Sequence, residues 1–339
     1  MKRLSVIVPG YNTRKEWWVR CVASIDRALT DDDEILVIDD GSKVPVGRDW
    51  FGSRRVRLIR HEKNLGLPSG RNSGLEAAQG RFVTFVDSDD EVLPGAFDRC
   101  IEELEAHQAD VAVYGIRSVY EADGFQVLDL PDDKYYGALT PSDVASLVKR
   151  RMFYYSCNKV FRRAFIEEHQ MRFDPEGVPQ EDAIFNVALV MNKAKWVTVA
   201  VEGYRYYRYD GSIVSRYKST YVQGTRACTQ AWKDYKAATP GACEAMEKFG
   251  LGWYDETPDD EIRRRQWTNI WRRGTPYGLS DRYCYAKDNA DVLGRCTPFV
   301  FVKQAVKMWA RKHLYFGPIR RYYQKRFLKR IGAKIVRLK

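Results

Sequence analysis

The feature that most limits how this chain can fold is a unit repeated through its first ninety residues: a short run of β-branched and other apolar residues, a polar cluster, then a stretch of helical period. The apolar runs are RLSVIVPG (3–10), EILVIDDGS (34–42), RVRLIRH (55–61) and FVTFVDSDD (82–90). Between them, RKEWWVRCVASIDRAL (14–29) places Trp17, Trp18, Cys21, Val22 and Ile25 at helical spacing, and SGRNSGLEAAQG (69–80) closes on Gly80. Short apolar runs bounded by turn residues read as buried strands, and 3–4 spacing reads as an amphipathic helix. Their alternation predicts an α/β fold with a mostly parallel sheet covered on both faces.

In open parallel sheets ligands bind beyond the carboxyl ends of the strands. Three polar clusters are therefore predicted along one rim: Pro9-Gly10-Tyr11-Asn12, Asp39-Asp40-Gly41-Ser42 and Asp87-Ser88-Asp89-Asp90. The last of these, with Glu91, gathers four acids within five positions, and a helix cap, a solvated turn or a cation site could each account for it. Pro94 predicts the start of the next helix, and Asp87 and Asp89 lie too far before it to bond the free N–H groups of its first turn. A hard divalent ion takes carboxylate oxygens and keeps positions open for phosphate. By spacing alone, Asp-x-Asp does not separate that site from a wet turn.

At 339 residues with 45% hydrophobic side chains, the chain can bury a sizeable core. It contains neither G-x-G-x-x-G after its first strand nor G-x-x-x-x-G-K-[ST], so neither a dinucleotide fold nor a P-loop is indicated. Its seven cysteines are scattered without a C-x-x-C pair and its four histidines lack ligand spacing. That argues for reduced thiols and against a disulfide framework or a zinc site. The opening MKRLSVIVPG is too short an apolar stretch for a signal peptide, and no membrane-spanning run follows, so a cytoplasmic location is expected.

The net charge of +11 is a property of the tail: residues 298–339 hold 13 Lys and Arg and no acid, leaving the first 297 residues at −2. Within 319–339 the apolar residues fall on one helical face, the pattern of a helix lying in the interface of an anionic membrane or packed on the rest of the protein. No nucleic-acid motif accompanies the charge, so a nucleic-acid partner is not expected. Three segments are predicted: 1–216, a helical region 217–297, and the basic tail 298–339.

LSVIVPGYN, ILVIDDGS, NLGLPSGRNSGLEAAQGRFVTFVDSDD, SCNKVFRR and QEDAIFN stand in an order and at a spacing that resemble glycosyltransferase family 2, the inverting sugar transferases of GT-A fold. The resemblance spans about residues 3–216. It implies a nucleoside-diphosphate sugar donor, most often UDP-linked, and a saccharide or lipid-linked acceptor, as in cell-surface polysaccharide assembly. Pro9, Tyr11 and Asn12 then match the loop over base and ribose, Asp39 the acid that accepts the base N3–H, and Arg71 an arginine near the nucleotide. Asp87 and Asp89 match the Asp-x-Asp motif for Mn²⁺ or Mg²⁺: Asp89 is the direct ligand, and Asp87, with Ser88 beside it, lies nearer the ribose. Asp182 matches the general base, and Glu181, Lys159 and Arg208 are further candidates for donor, phosphate or acceptor contacts.

Gln180 stands where the family often has glycine, Pro68-Ser69-Gly70 replaces a run of small residues, and GSKVPVGRD lacks an acid common after D-D-G-S. A sugar-nucleotide pyrophosphorylase is a second reading, although VPGYN supplies no glycine-rich phosphate loop. A non-catalytic nucleotide-binding module is a third.

Overall fold

The computed structural model describes residues 2–120, 124–175, 180–209, 221–248 and 334–336. Strand and helix alternate as predicted: β1 (Lys2–Gly10), α1 (Lys15–Arg27), β2 (Glu34–Asp39), β3 (Val56–Arg60), α2 (Leu67–Ala77) and β4 (Gly80–Phe85). There follow β5 (Glu91–Val92), α3 (Ala96–Ala106), β6 (Val111–Tyr120), β7 (Phe125–Asp129), β8 (Lys134–Ala138), α4 (Pro141–Lys149), β9 (Lys159–Arg162) and α5 (Arg163–Glu168). The last described elements are α6 (Glu181–Met191), β10 (Lys195–Arg208), α7 (Tyr221–Ala238), α8 (Ala242–Lys248) and β11 (Lys334–Val336).

The strands form one sheet in the order β11-β7-β6-β9-β4-β1-β2-β3. Its β4-β1-β2-β3 part is parallel throughout, β9 runs antiparallel between β4 and β6, and β10 pairs parallel with β6. All six residues of β2 are buried, as a strand covered on both faces requires. Helix α2 lies so close over β1 that a Cβ on Gly74 would come within 2.2 Å of Ile7 and one on Gly70 within 3.0 Å of Pro9. That approach sets Arg71, on the intervening turn, above the strand ends.

Three boundaries differ from expectation for local reasons. The fourth strand stops at Phe85, because Asp87–Asp90 folds into a turn closed by Asp90 N donating to Asp87 O at 3.1 Å. Gly80 opens β4, its N–H donating to Ser5 Oγ, so α2 ends at Ala77. The next helix starts at Ala96 after Gly95, which adopts φ +83. Of the predicted helical region, 221–248 forms two helices, α7 and α8, joined by a turn; the rest of 217–297 lies outside the described residues. In the basic tail, Lys334–Val336 pairs antiparallel with β7, so the helix expected over 319–339 does not hold at those residues; the remainder lies outside the described residues. Among the described residues no helix is long and apolar enough to cross a membrane.

Candidate functional site

The three polar clusters meet along one rim, as the topology requires. Asn12, at φ 53, links the ends of β1 and β2: its N–H donates to Ser42 Oγ, and its Oδ1 accepts from Lys43 N, both at 2.9 Å. Thr13 Oγ1 and Ser88 Oγ, 2.7 Å apart, link β1 to the turn after β4. Tyr11 and Asn12 are exposed on this edge.

Arg71 sits at the centre, its side chain 2% exposed. One guanidinium nitrogen donates to Glu181 Oε1 at 3.0 Å and to Asp182 Oδ1 at 2.8 Å; the other reaches Asp87 Oδ1 at 3.4 Å. Four of the predicted site residues thus share one ion network, drawn from α2, the β4 turn and the first turn of α6. Glu181 and Asp182 lie where a helix N-terminus favours acids. Gln180, just before them, is held left-handed at φ 76, a conformation that costs a residue with a Cβ about 1–2 kcal/mol. The same geometry explains why glycine would suit that position.

Asp182 Oδ1 also accepts from the buried Ser156 Oγ at 2.8 Å. The carboxylate is therefore fixed through one oxygen, while Oδ2 makes no hydrogen bond among the described residues, and the side chain is 24% exposed.

The acidic turn divides by burial. Asp90 is fully enclosed, accepting from Tyr204 Oη and Tyr207 N at 2.8 Å each, and Glu91 accepts from Tyr207 Oη. Asp87 and Asp89 remain partly exposed. Tyr209 Oη donates to Asp89 Oδ2 at 2.5 Å and its ring packs tilted against Trp17, ring centroids 4.4 Å apart, while Arg20 donates to the Asp89 carbonyl. Burial, together with Asp89, Asp182 and Glu181, pushes the Asp87 carboxyl up to about 6 against the pull of Arg71. Burial and Asp182 raise Glu181 as well. This local surplus of negative charge fits a divalent cation. Among the described residues no group of three or more His, Cys, Asp and Glu could hold one, so Asp89 and Asp87 would need a phosphate to complete the ligand set.

Three of the candidate residues are buried in this structure. Asp39 is fully buried, its oxygens accepting from Ser42 N at 2.9 Å, Val46 N at 3.0 Å and Arg60, and so it organises the loop after β2. Pro9 is buried in β1 beneath Gly70 and offers no surface. Lys159 is also fully buried, and its Nζ bonds the carbonyls of Met152, Phe153 and Tyr155 and Asn158 Oδ1. Burial pushes its pKa down to about 7, and it staples the 152–158 loop. Arg208 lies beside the rings of Tyr206 and Tyr120 at the end of β10, and among the described residues it makes no ion pair with the Arg71 network.

Sequence reasoning missed Ser156, Tyr204 and Tyr209, which bond Asp182, Asp90 and Asp89 from 26, 114 and 120 residues away. No local pattern marks such partners. A surface depression lined by Lys2, Asp32, Ala78, Gln79 and Arg163 lies near the opposite end of the strands and includes none of these acids.

The chain resembles known proteins in two ways. In sequence it is 30% identical to glycosyltransferase EpsJ of Bacillus subtilis over 213 residues, 60% of each chain, and 27% identical to the succinoglycan biosynthesis protein ExoO of Rhizobium meliloti, over 68% of this chain and 67% of that one. It thus spans about 60% of the length of EpsJ. In structure it matches S. aureus TarS 1–349 in complex with UDP-GlcNAc at a TM-score of 0.60, covering 86% of this chain and 89% of that one at 18% identity, so the two share the GT-A fold. Residues 5–170 match Glycosyl transferase family 2, a segment that ends eleven residues before Glu181 and leaves α6 and β10 to complete the rim. That segment, a little under half of the chain, is the part that matches the family.

Proposed function

We propose that the rim moves a sugar from a UDP-sugar to an acceptor hydroxyl with inversion. The observation that carries this reading is the Arg71 network, which brings Asp87, Glu181 and Asp182 together beside Asp89. The resemblance to TarS, of which complexes with UDP and with UDP-GlcNAc are known, supports a UDP-linked donor.

Asp182 Oδ2 takes the acceptor proton as the hydroxyl attacks the anomeric carbon from the face opposite the diphosphate; Arg71 and Ser156 hold Oδ1 and so set the direction in which Oδ2 faces. Tyr11 and Asn12 bind the nucleoside from the exposed edge, and Thr13 fixes Ser88 below. Mn²⁺ or Mg²⁺ at Asp89, with Asp87 nearby, would offset the charge growing on the diphosphate. The test is UDP release from a panel of UDP-sugars with saccharide and lipid-linked acceptors. Asp89→Ala is expected to weaken UDP binding in Mn²⁺ by at least the roughly tenfold carried by a residue that only orients a metal ligand, and to leave binding in EDTA unchanged. Wild-type affinity in Mn²⁺ would exclude this role for Asp89.

The 13 Lys and Arg of residues 298–339, with no acid among them, support an acceptor carried on an anionic membrane, each basic residue adding about 1 kcal/mol near such a surface. Vesicles rich in anionic lipid should float the full chain and not a chain lacking 298–339. Equal flotation of both would remove the membrane from the proposal.

A further inference from the structure

The rim carries two charge imbalances of opposite sign. On one side a single cation, Arg71, faces Asp87, Glu181 and Asp182. On the other, two arginines share one acid. Helix α4 ends at Lys149 with Arg150 as its C-cap, and Arg151 follows in the left-handed conformation, φ 63, a common way to leave a helix. Its Nη1 stands 3.8 Å from Asp129 Oδ2, a separation too long for a hydrogen bond. Its Nη2 donates to Tyr155 Oη at 3.2 Å.

Arg208, in register with Tyr120 across the β6–β10 ladder, lies 5.4 Å from the Tyr120 ring and 5.1 Å from the Tyr206 ring. It has no ion pair among the described residues, and its Nε is sealed from solvent without a hydrogen-bond partner. Asp129 is 7% exposed, and its Oδ2 likewise accepts no hydrogen bond.

Among the described residues, two guanidinium groups thus stand against one buried carboxylate, and an enclosed charge without a partner is costly. A phosphate or carboxylate would relieve it, matching the guanidinium fork with paired hydrogen bonds. The cluster is open to such a group, since the Arg151 side chain is 24% exposed. It also borders the proposed base: Tyr155, bonded to Arg151, directly precedes Ser156, bonded to Asp182.

We infer that Arg151 and Arg208 form a subsite for an anionic group, phosphate or carboxylate, carried by the acceptor. This rests on the donor reading given above. The acceptor then spans the two halves of the rim: its hydroxyl lies at Asp182 Oδ2, and its anion lies between the arginines with Tyr155 and Tyr206 as walls. A neutral sugar would leave the arginine half unmatched.

The same anion chemistry could instead belong to the donor diphosphate, and competition separates the two sources. Inorganic phosphate titrated into the full chain, at ionic strength held constant with chloride, should raise the melting temperature saturably. It should do so equally when the site already holds UDP and Mg²⁺. In Arg151→Gln and Arg208→Gln the phosphate response should weaken at least tenfold, while Arg151→Lys, which keeps the charge and loses the fork, should retain part of it.

Competition between phosphate and UDP would overturn the acceptor assignment, and so would an unchanged response in both Gln variants or no response in the wild-type chain. The UDP arm reports separately on the donor reading: loss of any UDP response would overturn that reading and the acceptor assignment with it.

Discussion

Asp182→Asn is expected to lower sugar transfer by roughly 10²- to 10⁴-fold, the usual contribution of a placed base, with UDP affinity unchanged. Asparagine keeps the side chain's shape, and its amide oxygen can still accept from Arg71 and Ser156 as Oδ1 does now, at 2.8 Å in each case. What disappears is the second oxygen as a proton acceptor. Glu181→Gln is the matched control, since Glu181 meets the same Arg71 nitrogen at 3.0 Å. It should cost much less in turnover than the Asp182 change. The measurement is turnover under saturating donor together with the UDP dissociation constant. Undiminished turnover in Asp182→Asn would rule Asp182 out as the base.

Arg71→Met should have the largest effect on the fold. The arginine is almost wholly enclosed and is the cation to which Asp87, Glu181 and Asp182 are bonded. Removing one partner of a buried ion network leaves uncompensated charge and typically costs about 3–5 kcal/mol. The loss should also depend on pH in a defined direction. Asp87 already titrates at about 6 and Glu181 above its ordinary range, so both bind protons more tightly folded than unfolded. Their penalty is therefore absent in acid and grows as pH rises from about 4 through 6. Without Arg71 those values move higher still, so the gap in melting temperature between variant and wild type should be wide at pH 7 and narrower at pH 5. Arg71→Lys should not close it, because a point charge lacks the fork that serves three carboxylates. An Arg71→Met melting temperature equal to wild type at pH 7 would show that the network carries little stability.

Much of the rim was legible because strand ends in a parallel sheet converge whatever the side chains do. The runs at 3–10, 34–42 and 82–90 fall on β1, β2 and β4, and their ends collect Asn12, Ser42 and Ser88 as predicted. What a motif does not encode is which way a side chain faces. Asp39 and Asp40 are adjacent acids at a strand end, and both are taken up by loops: Asp39 by the N–H groups of Ser42 and Val46, Asp40 by those of Leu65 and Gly66. Lys159 looked like a phosphate contact, but a lysine can also satisfy three carbonyls from within, and only the path of the 152–158 loop decides between the two. The turn at Asp87–Asp90 shows the same limit in one segment, where Asp90 turns inward to Tyr204 and Asp87 outward to Arg71.

Long-range bonding at this rim also sets an order of assembly. Asp87 to Asp90 are made early by a ribosome moving from the amino terminus, yet Tyr204 reaches Asp87 N and Asp90 across 117 and 114 residues, and Tyr209 reaches Asp89 across 120. Until β10 and Tyr209 emerge, Asp89, Asp90 and Glu91 lack their hydroxyl donors, and contacts of such separation form late and slowly. A nascent chain halted before residue 195 would therefore hold a formed β1–β4 sheet with an unsettled acidic edge. The last strand of the rim to be synthesised is the one that settles it.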